Sequence, residues 1–393
     1  MSELSKDFSL SALVAGFIAT LISYAGPLVI IFQVAQAADL PADILASWIW
    51  TISIGSGVLG IFLSLRYKVP VIIAWNAPGS ALLVSLLPEI TMAEAIGAYL
   101  VSSLVVLLLG LSGAFDRLVQ KLPGSLAAAM LAGILFSFGV GVFTGVEDSM
   151  AMVLVMFAVY VLFKRILPRY AVMAVLFVGM LVALATGEFT AQGIRLELTA
   201  PVWITPAFSL SAIINVALPL VIVAITGQFV PGMAVLRNDG FNTPASPFLT
   251  YTGLGSLLLA PFACHGLTLA AITAAICTGR EAHEEQGKRY VAGVAGGVFY
   301  LLLGFFGATI VMLFMAFPKA LIAALAGLAL LGAIASSLAA SMSVVAEREA
   351  ALITFLVTAS GMTMFGLASA FWGLLFGLAV HWVLGWRKPV RPV

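Results

Sequence analysis

Charged side chains make up only 9% of this 393-residue chain, where a water-soluble domain carries about 25%. So small a supply cannot cover a surface that faces water, and a soluble globular fold is excluded. The formal net charge of +1 gives no field that would attract nucleic acid or an acidic partner. Two cysteines, Cys264 and Cys277, are too few for a disulfide framework or a zinc cluster and read as packed apolar thiols. No phosphate-binding glycine loop, dinucleotide fingerprint, metal-ligand cluster or Ser-His-Asp pattern occurs, so neither a cofactor nor an enzyme centre is implied. Met1 to Leu10 has neither the basic start nor the cleavage site of a signal peptide, so the first hydrophobic segment is expected to stay in the membrane.

What is abundant is apolar surface, at 62% of residues and a mean hydropathy of +1.16. A bilayer core takes about 20 apolar residues per helix. The sequence divides into about fourteen hydrophobic segments, near 11–36, 43–65, 70–86, 92–112, 124–143, 149–163, 170–187, 209–235, 248–261, 264–278, 290–316, 319–341, 350–362 and 364–386. The segments at 70–86, 248–261, 264–278 and 350–362 are short or interrupted by Gly and Pro. With this division, sixteen of the eighteen Lys and Arg residues fall on the side that holds both termini, and only Arg195 and Lys319 fall on the other. Cytoplasmic loops collect Lys and Arg, so both termini are expected in the cytoplasm.

The chain also repeats itself. Phe8-Ser9-Leu10-Ser11-Ala12 returns as Phe208-Ser209-Leu210-Ser211-Ala212. Pro123-x-x-Leu126-x-Ala128-Ala129 returns as Pro318-x-x-Leu321-x-Ala323-Ala324, and Leu107-Leu108-Leu109-Gly110 as Leu301-Leu302-Leu303-Gly304. The matches keep one order and nearly one offset. They divide the chain into 1–205 (segments 1–7) and 206–393 (segments 8–14), with the loop Gly187 to Thr205 as the external linker. Seven segments per copy invert the second copy in the membrane, which is a transporter device. The expected fold class is therefore an all-α integral membrane protein of two inverted seven-segment repeats.

In such folds the ligand sits where helices break near the midplane. Segment 3 opens Val69-Pro70-Val71-Ile72-Ile73-Ala74-Trp75-Asn76, an extended piece by its β-branched residues and its Pro. Asn76 can cap a helix that starts at Ala77-Pro78. Segment 10 offers the equivalent: Leu259-Ala260-Pro261, then Cys264-His265-Gly266-Leu267-Thr268, then a small-residue helix. Two half-helix N-termini facing one another would present about one positive charge to an anion. Polar residues inside spans are costly and default to functional candidates. Gln228 lies within segment 8 and can donate to a carboxylate or accept from a neutral acid. Tyr24, Trp75, Phe229 and Phe262 are candidates for an aromatic-lined slot. All the acidic residues fall at loops or span ends, so His265 is the one titratable side chain placed near the midplane. It is the candidate for proton coupling, the other carrier being the substrate carboxylate itself.

Together these residues resemble the benzoate–proton symporter (BenE) family over essentially the whole chain. The likeness rests on Ala74-Trp75-Asn76-Ala77-Pro78-Gly79-Ser80-Ala81-Leu82-Leu83, on Ser125 to Leu135, on Ala271 to Cys277 and on Phe355 to Gly361. It implies the fold shared with uracil permeases and sulfate-type anion transporters: a core domain of about segments 1–4 and 8–11, a gate domain of about segments 5–7 and 12–14, and substrate between segments 3 and 10. It places Asn76, Ala77, Gly79 and Ser80 on one side of the ligand. His265, Gly266, Leu267 and Thr268 lie on the other, with Gln228 beside them. Where uracil permeases resemble one another in using acidic residues in segments 8 and 10, Gln228 and His265 stand here.

The expected function is import of benzoate or a similar aromatic carboxylate with a proton across a bacterial inner membrane. A nucleobase or inorganic-anion permease of the same fold, or an uncoupled facilitator, are the alternatives. The expected partners are the aromatic acid, the proton and the lipid bilayer; the resemblance adds a homodimer, which no residue pattern carries.

Overall fold

The computed structural model describes residues 7–25, 27–115, 123–147, 149–189, 195–270, 273–280, 282–362, 364 and 369–385. Gly26, Arg117, Lys121, Ala271, Ile272, the basic residues Lys6, Arg387, Lys388 and Arg391, and part of the linker (190–194) lie outside the described residues.

The helices of the first half are α1 (Leu10–Ala25), α2 (Pro27–Ala37), α3 (Ala42–Tyr67), α4 (Ala77–Leu86), α5 (Met92–Ser112), α6 (Gly124–Thr144), α7 (Met150–Ile166) and α8 (Ala171–Thr186). A short strand, β1 (Ile73–Trp75), precedes α4. The second half has α9 (Leu210–Arg237), α10 (Ser246–Leu259), strand β2 (Leu267–Leu269), α11 (Ala274–Thr278), α12 (Tyr290–Phe305), α13 (Gly307–Met315), α14 (Lys319–Ser341), α15 (Arg348–Ala359) and α16 (Ser369–Gly385). Each hydrophobic segment thus carries a helix or a strand–helix pair. Among the described residues, six helices are long and apolar enough to cross a membrane. The exterior exposes Leu111, Phe177 and Leu258, while Thr20, Ser53, Asn76 and His265 are buried. That inside-out distribution is what lipid as a solvent demands.

One of the segments read as a single span is broken. The eleventh bends by 68° between α12 and α13. The linker accounts for this break: Thr199 N donates to Phe305 O at 2.9 Å, and Thr199 Oγ1 accepts from Ala308 N at 2.7 Å. The backbone groups freed by the kink are therefore satisfied by a residue about a hundred positions away, the condition for a kink inside a membrane. α9 is irregular for another reason. It contains two π-turns, Ile213–Ala217 and Ile225–Phe229, and each runs directly into a proline-bearing turn (Pro219, Pro231). Proline removes one N–H and crowds the carbonyl four residues back; widening the preceding turn accommodates both.

The helices pack in two groups. α6, α7, α8, α14, α15 and α16 lie mainly against one another. The remaining helices gather round β1 and β2, with α12 wedged against α1 and α3. Thr20 Oγ1 ties α1 to α12 through Gly296 O at 3.1 Å. Between the groups run a few contacts, among them α2 with α14 and α4 with α6.

Candidate functional site

The two strands cross at the centre of the second group. β1 and β2 pair antiparallel, with Ile73 opposite Leu269, Ala74 opposite Thr268 and Trp75 opposite Leu267. Segments 3 and 10 were read as extended pieces before helices, and they form one ribbon. Its start is pinned by Ser64, whose Oγ accepts from Val71 N at 3.1 Å and donates to Val71 O at 3.2 Å. The start of β2 is pinned by Ser256, whose Oγ accepts from Leu267 N at 2.8 Å. Between Cys264 and β2 the chain turns through Gly266 at φ +145°, a backbone that residues with a Cβ avoid.

The antiparallel register decides which helix end meets which residue. α4 leaves the ribbon beside His265. The chain after β2 leaves from the opposite end, where Ala270 N donates to Ile72 O at 2.9 Å. The two N-termini expected to face one another therefore stand at opposite ends of the ribbon. Only that of α4 meets His265. Asn76 caps it, its Oδ1 accepting from Gly79 N at 3.2 Å, with Pro78 in the first turn. Ser80 closes the turn twice onto Asn76 O, through its N at 2.7 Å and its Oγ at 3.1 Å. Ala77 is half-buried at the first helical position, where the N–H has no intrahelical partner.

His265 is 1% exposed and bonded at both ring nitrogens. The indole Nε1–H of Trp48 donates to its Nδ1 at 2.9 Å. Its Nε2 lies 2.9 Å from Ser80 Oγ and 3.2 Å from Asn76 O. Tyr99 sets its ring edge against the imidazole, with centroids 6.3 Å apart.

These residues border a cavity with about 20 Å³ open to the centre of a water molecule, room for about one water. Its polar lining is Asn76, Ser102, Ser103, Ser256, His265 and Thr268. Its apolar lining is Val106 from α5, with Leu220, Val221, Ala224 and Phe229 from α9. Gly266 and Leu267 complete the lining. No lining residue carries a formal charge other than what His265 could acquire. Of the site residues expected from sequence, Asn76, His265, Gly266, Leu267 and Thr268 come together here. Gly79 and Ser80 stand directly behind, in the first turn of α4. Gln228 is half-buried on the π-turn Ile225–Phe229. That turn sends Phe229 into the cavity, while its Gly227 faces Pro78 of α4 and Leu131 of α6, so the turn lies at the seam between the two helix groups. Tyr24 is not part of the lining. It is hydrogen-bonded to Ser53 and packs its ring against Trp75 and Tyr300. Phe262 stacks edge-on with Trp203, so of the four aromatic candidates only Phe229 reaches the cavity.

The family profile of benzoate membrane transport proteins, BenE, matches residues 6–383. The chain belongs to that family. A benzoate membrane transport protein of Acinetobacter baylyi is 47% identical over 384 residues, covering 98% of each chain. The inner membrane protein YdcO of Escherichia coli is 41% identical over 372 residues, covering 95% of each. These relatives bear the names of membrane and transport proteins, not of enzymes. Among solved structures, SLC26A9 superposes with a TM-score of 0.60 at 14% identity, over 98% of this chain and 67% of that one. The transmembrane domain of the cyanobacterial bicarbonate transporter BicA superposes with 0.59 at 13% identity, over 95% of this chain and 96% of that one. At such identities the likeness is one of fold. It agrees with the anion-transporter architecture expected from the BenE resemblance.

Sequence reasoning missed several contributors to the site of this BenE-family protein: Trp48, the hydroxyls of Ser102, Ser103 and Ser256, and the aliphatic lining from Val106, Leu220, Val221 and Ala224. An indole N–H in the middle of an apolar span needs a buried acceptor, which is the signal that could have linked Trp48 to His265. Ser103 is 3% exposed, lines the cavity, and its Oγ has no hydrogen-bond partner among the described residues. A buried hydroxyl left unsatisfied costs about 1–3 kcal/mol, so it marks a place where a ligand or water completes the bonding. Ser103→Ala should therefore leave thermal stability at or slightly above the parent. Benzoate affinity should fall by about 1 kcal/mol, roughly fivefold. Paired melting curves and equilibrium binding on the purified protein check both halves.

Proposed function

We propose that this BenE-family chain imports benzoate or a similar aromatic carboxylate together with a proton, by alternating access around the ribbon. The observation that carries the reading is the mixed lining of the cavity. Its hydroxyl, amide and imidazole groups suit a carboxyl group, and its aliphatic side chains with Phe229 suit a ring. Because no fixed cation is present there, the helix-α4 N-terminus with Asn76 supplies the polarity that orients the carboxyl group. The name of the Acinetobacter relative supports benzoate as the substrate. A cavity holding about one water is too small for an aromatic ring, so this conformation is closed, and loading requires the π-turn bearing Gln228 and Phe229 to move away from α4.

The two copies, 1–205 and 206–393, act in this reading as inverted repeats. The antiparallel pairing of their equivalent strands supports it, since a two-fold axis in the membrane plane would relate β1 to β2 in that way. The group of helices round the ribbon is the core (segments 1–4 and 8–11) and the other group is the gate (segments 5–7 and 12–14). The sparse seam between them is where sliding or rocking would occur. The Lys and Arg asymmetry supports an orientation with both termini in the cytoplasm.

Equilibrium binding of labelled benzoate to the purified protein, with unlabelled competitors, tests the substrate class. Benzoate and ring-substituted benzoates should displace the label, and uracil and sulfate should not. Displacement by uracil or sulfate at lower concentration than by benzoate would move the chain to the nucleobase or inorganic-anion reading.

A further inference from the structure

We propose that Trp48 is a positioning residue that locks His265 as the neutral Nε2–H tautomer, leaving the substrate's own carboxyl group to carry the coupled proton. This rests on the proton-coupled transport reading above and changes the carrier expected from the sequence. The direction of each hydrogen bond carries the argument. An indole nitrogen can only donate, so the 2.9 Å contact from Trp48 Nε1 makes His265 Nδ1 the acceptor. Neutral imidazole then holds its one proton on Nε2. Asn76 O, 3.2 Å away, can only accept, and Ser80 Oγ receives the Nε2 proton at 2.9 Å while passing its own to Asn76 O. Every donor meets an acceptor in this one arrangement. Adding a proton to Nδ1 would turn an N–H toward the N–H of Trp48 and forfeit a buried bond.

No neighbouring charge offsets that loss. α3 carries Asp43 and Arg66 in its end turns, α5 carries Glu94 in its first turn, and α9 carries Arg237 in its last. α4, α10 and the two strands carry none. The titratable groups nearest the imidazole are the phenol of Tyr99 and the adjoining thiol of Cys264, both buried. An uncharged lining that offers both donors and acceptors favours a carboxylic acid over its anion. The coupled proton therefore crosses as the substrate's carboxyl O–H, taken from water on the acidic side and returned to water on the other.

The test is nitrogen NMR on the full-length protein with labelled histidine, in lipid nanodiscs. The chain has three histidines, and a His265→Gln sample assigns the His265 signals by subtraction. In the parent protein, His265 should show one neutral Nε2–H form with a hydrogen-bonded Nδ1, unchanged between about pH 5 and 8. In Trp48→Phe the signals should become a tautomer mixture or begin to titrate in that window, a change that a merely space-filling indole would not cause. A parent His265 that titrates there, or a Trp48→Phe spectrum identical to the parent, would overturn the lock. The second arm measures benzoate accumulation in vesicles with and without a proton gradient. The ratio of the two should survive in His265→Gln even where the absolute rate falls. A ratio of one in that variant, with the parent coupled, would return the proton to His265. If the parent itself takes up no benzoate, the transport reading fails while the NMR arm still decides the tautomer.

Discussion

Asn76→Asp should leave the fold intact and weaken benzoate binding most at neutral and alkaline pH. Asp is as good a helix cap as Asn, so the bond from Gly79 N and the first turn of α4 persist. Its charge is welcome at a helix N-terminus as far as the helix is concerned. For the substrate the exchange is unfavourable. The amide N–H of Asn76 can donate to the carbonyl of a bound carboxylic acid, and an ionised carboxylate in its place can only accept. Two acceptors left facing one another in a buried site cost about 1–3 kcal/mol, roughly five- to a hundredfold in affinity. As pH falls and the introduced carboxylate takes up a proton, its O–H can donate again, so the deficit should be greatest at neutral and alkaline pH and shrink toward acid. Melting curves and binding isotherms across pH check the prediction. Affinity within about twofold of the parent at every pH would remove the carboxyl group of the substrate from the α4 N-terminus.

Gly293→Val should destabilise the protein more than any surface change, by attacking the ribbon from behind. A Cβ at this position of α12 would lie 2.3 Å from Ser64 Oγ and 2.9 Å from Val71 N. Ser64 is the residue that pins the start of the ribbon through both polar groups of Val71. The substitution must push α12 outward or expel Ser64, taking from Val71 O the hydroxyl that donates to it, while Val71 N keeps Val69 O at 2.8 Å. Overpacking of this kind costs about 1–3 kcal/mol, and a buried carbonyl that loses its donor adds about 1–3 kcal/mol. The midpoint of thermal unfolding in detergent should fall clearly, and uptake with it. Gly287→Ala, with open space around its added Cβ, is the silent control. Wild-type unfolding in Gly293→Val would mean that the ribbon is not held by this contact.

The membrane class and the strand-before-helix breaks in segments 3 and 10 were legible because lipid leaves few alternatives. A run such as Val71-Ile72-Ile73 after Pro70, followed by Asn76 and Pro78, carries its own instructions for strand, cap and helix. His265 stood out because imidazole is the side chain in these spans whose ordinary titration range lies near neutrality. The partners of these residues were not legible. Trp48 and His265 are 217 positions apart, and nothing local in either segment names the other. Register was equally hidden: antiparallel pairing sends the two half-helices away from opposite ends of the ribbon, and no count along the chain reveals that. The kink at Phe306 depends on Thr199 in the linker, so the local sequence of segment 11 reads as one unbroken span. Tyr24 was drawn to the site by its span, but its hydroxyl is taken by Ser53 and its ring by Trp75.

The central claim is coupled transport of an aromatic carboxylate, and uptake of labelled benzoate into proteoliposomes tests it most directly. With the outside more acidic than the lumen, benzoate should accumulate above its external concentration at an initial rate beyond that of protein-free liposomes under the same gradient. Collapsing the gradient with a protonophore should bring it back to equilibrium. Uptake indistinguishable from protein-free liposomes, or protein-dependent equilibration that a proton gradient never drives uphill, would contradict the account.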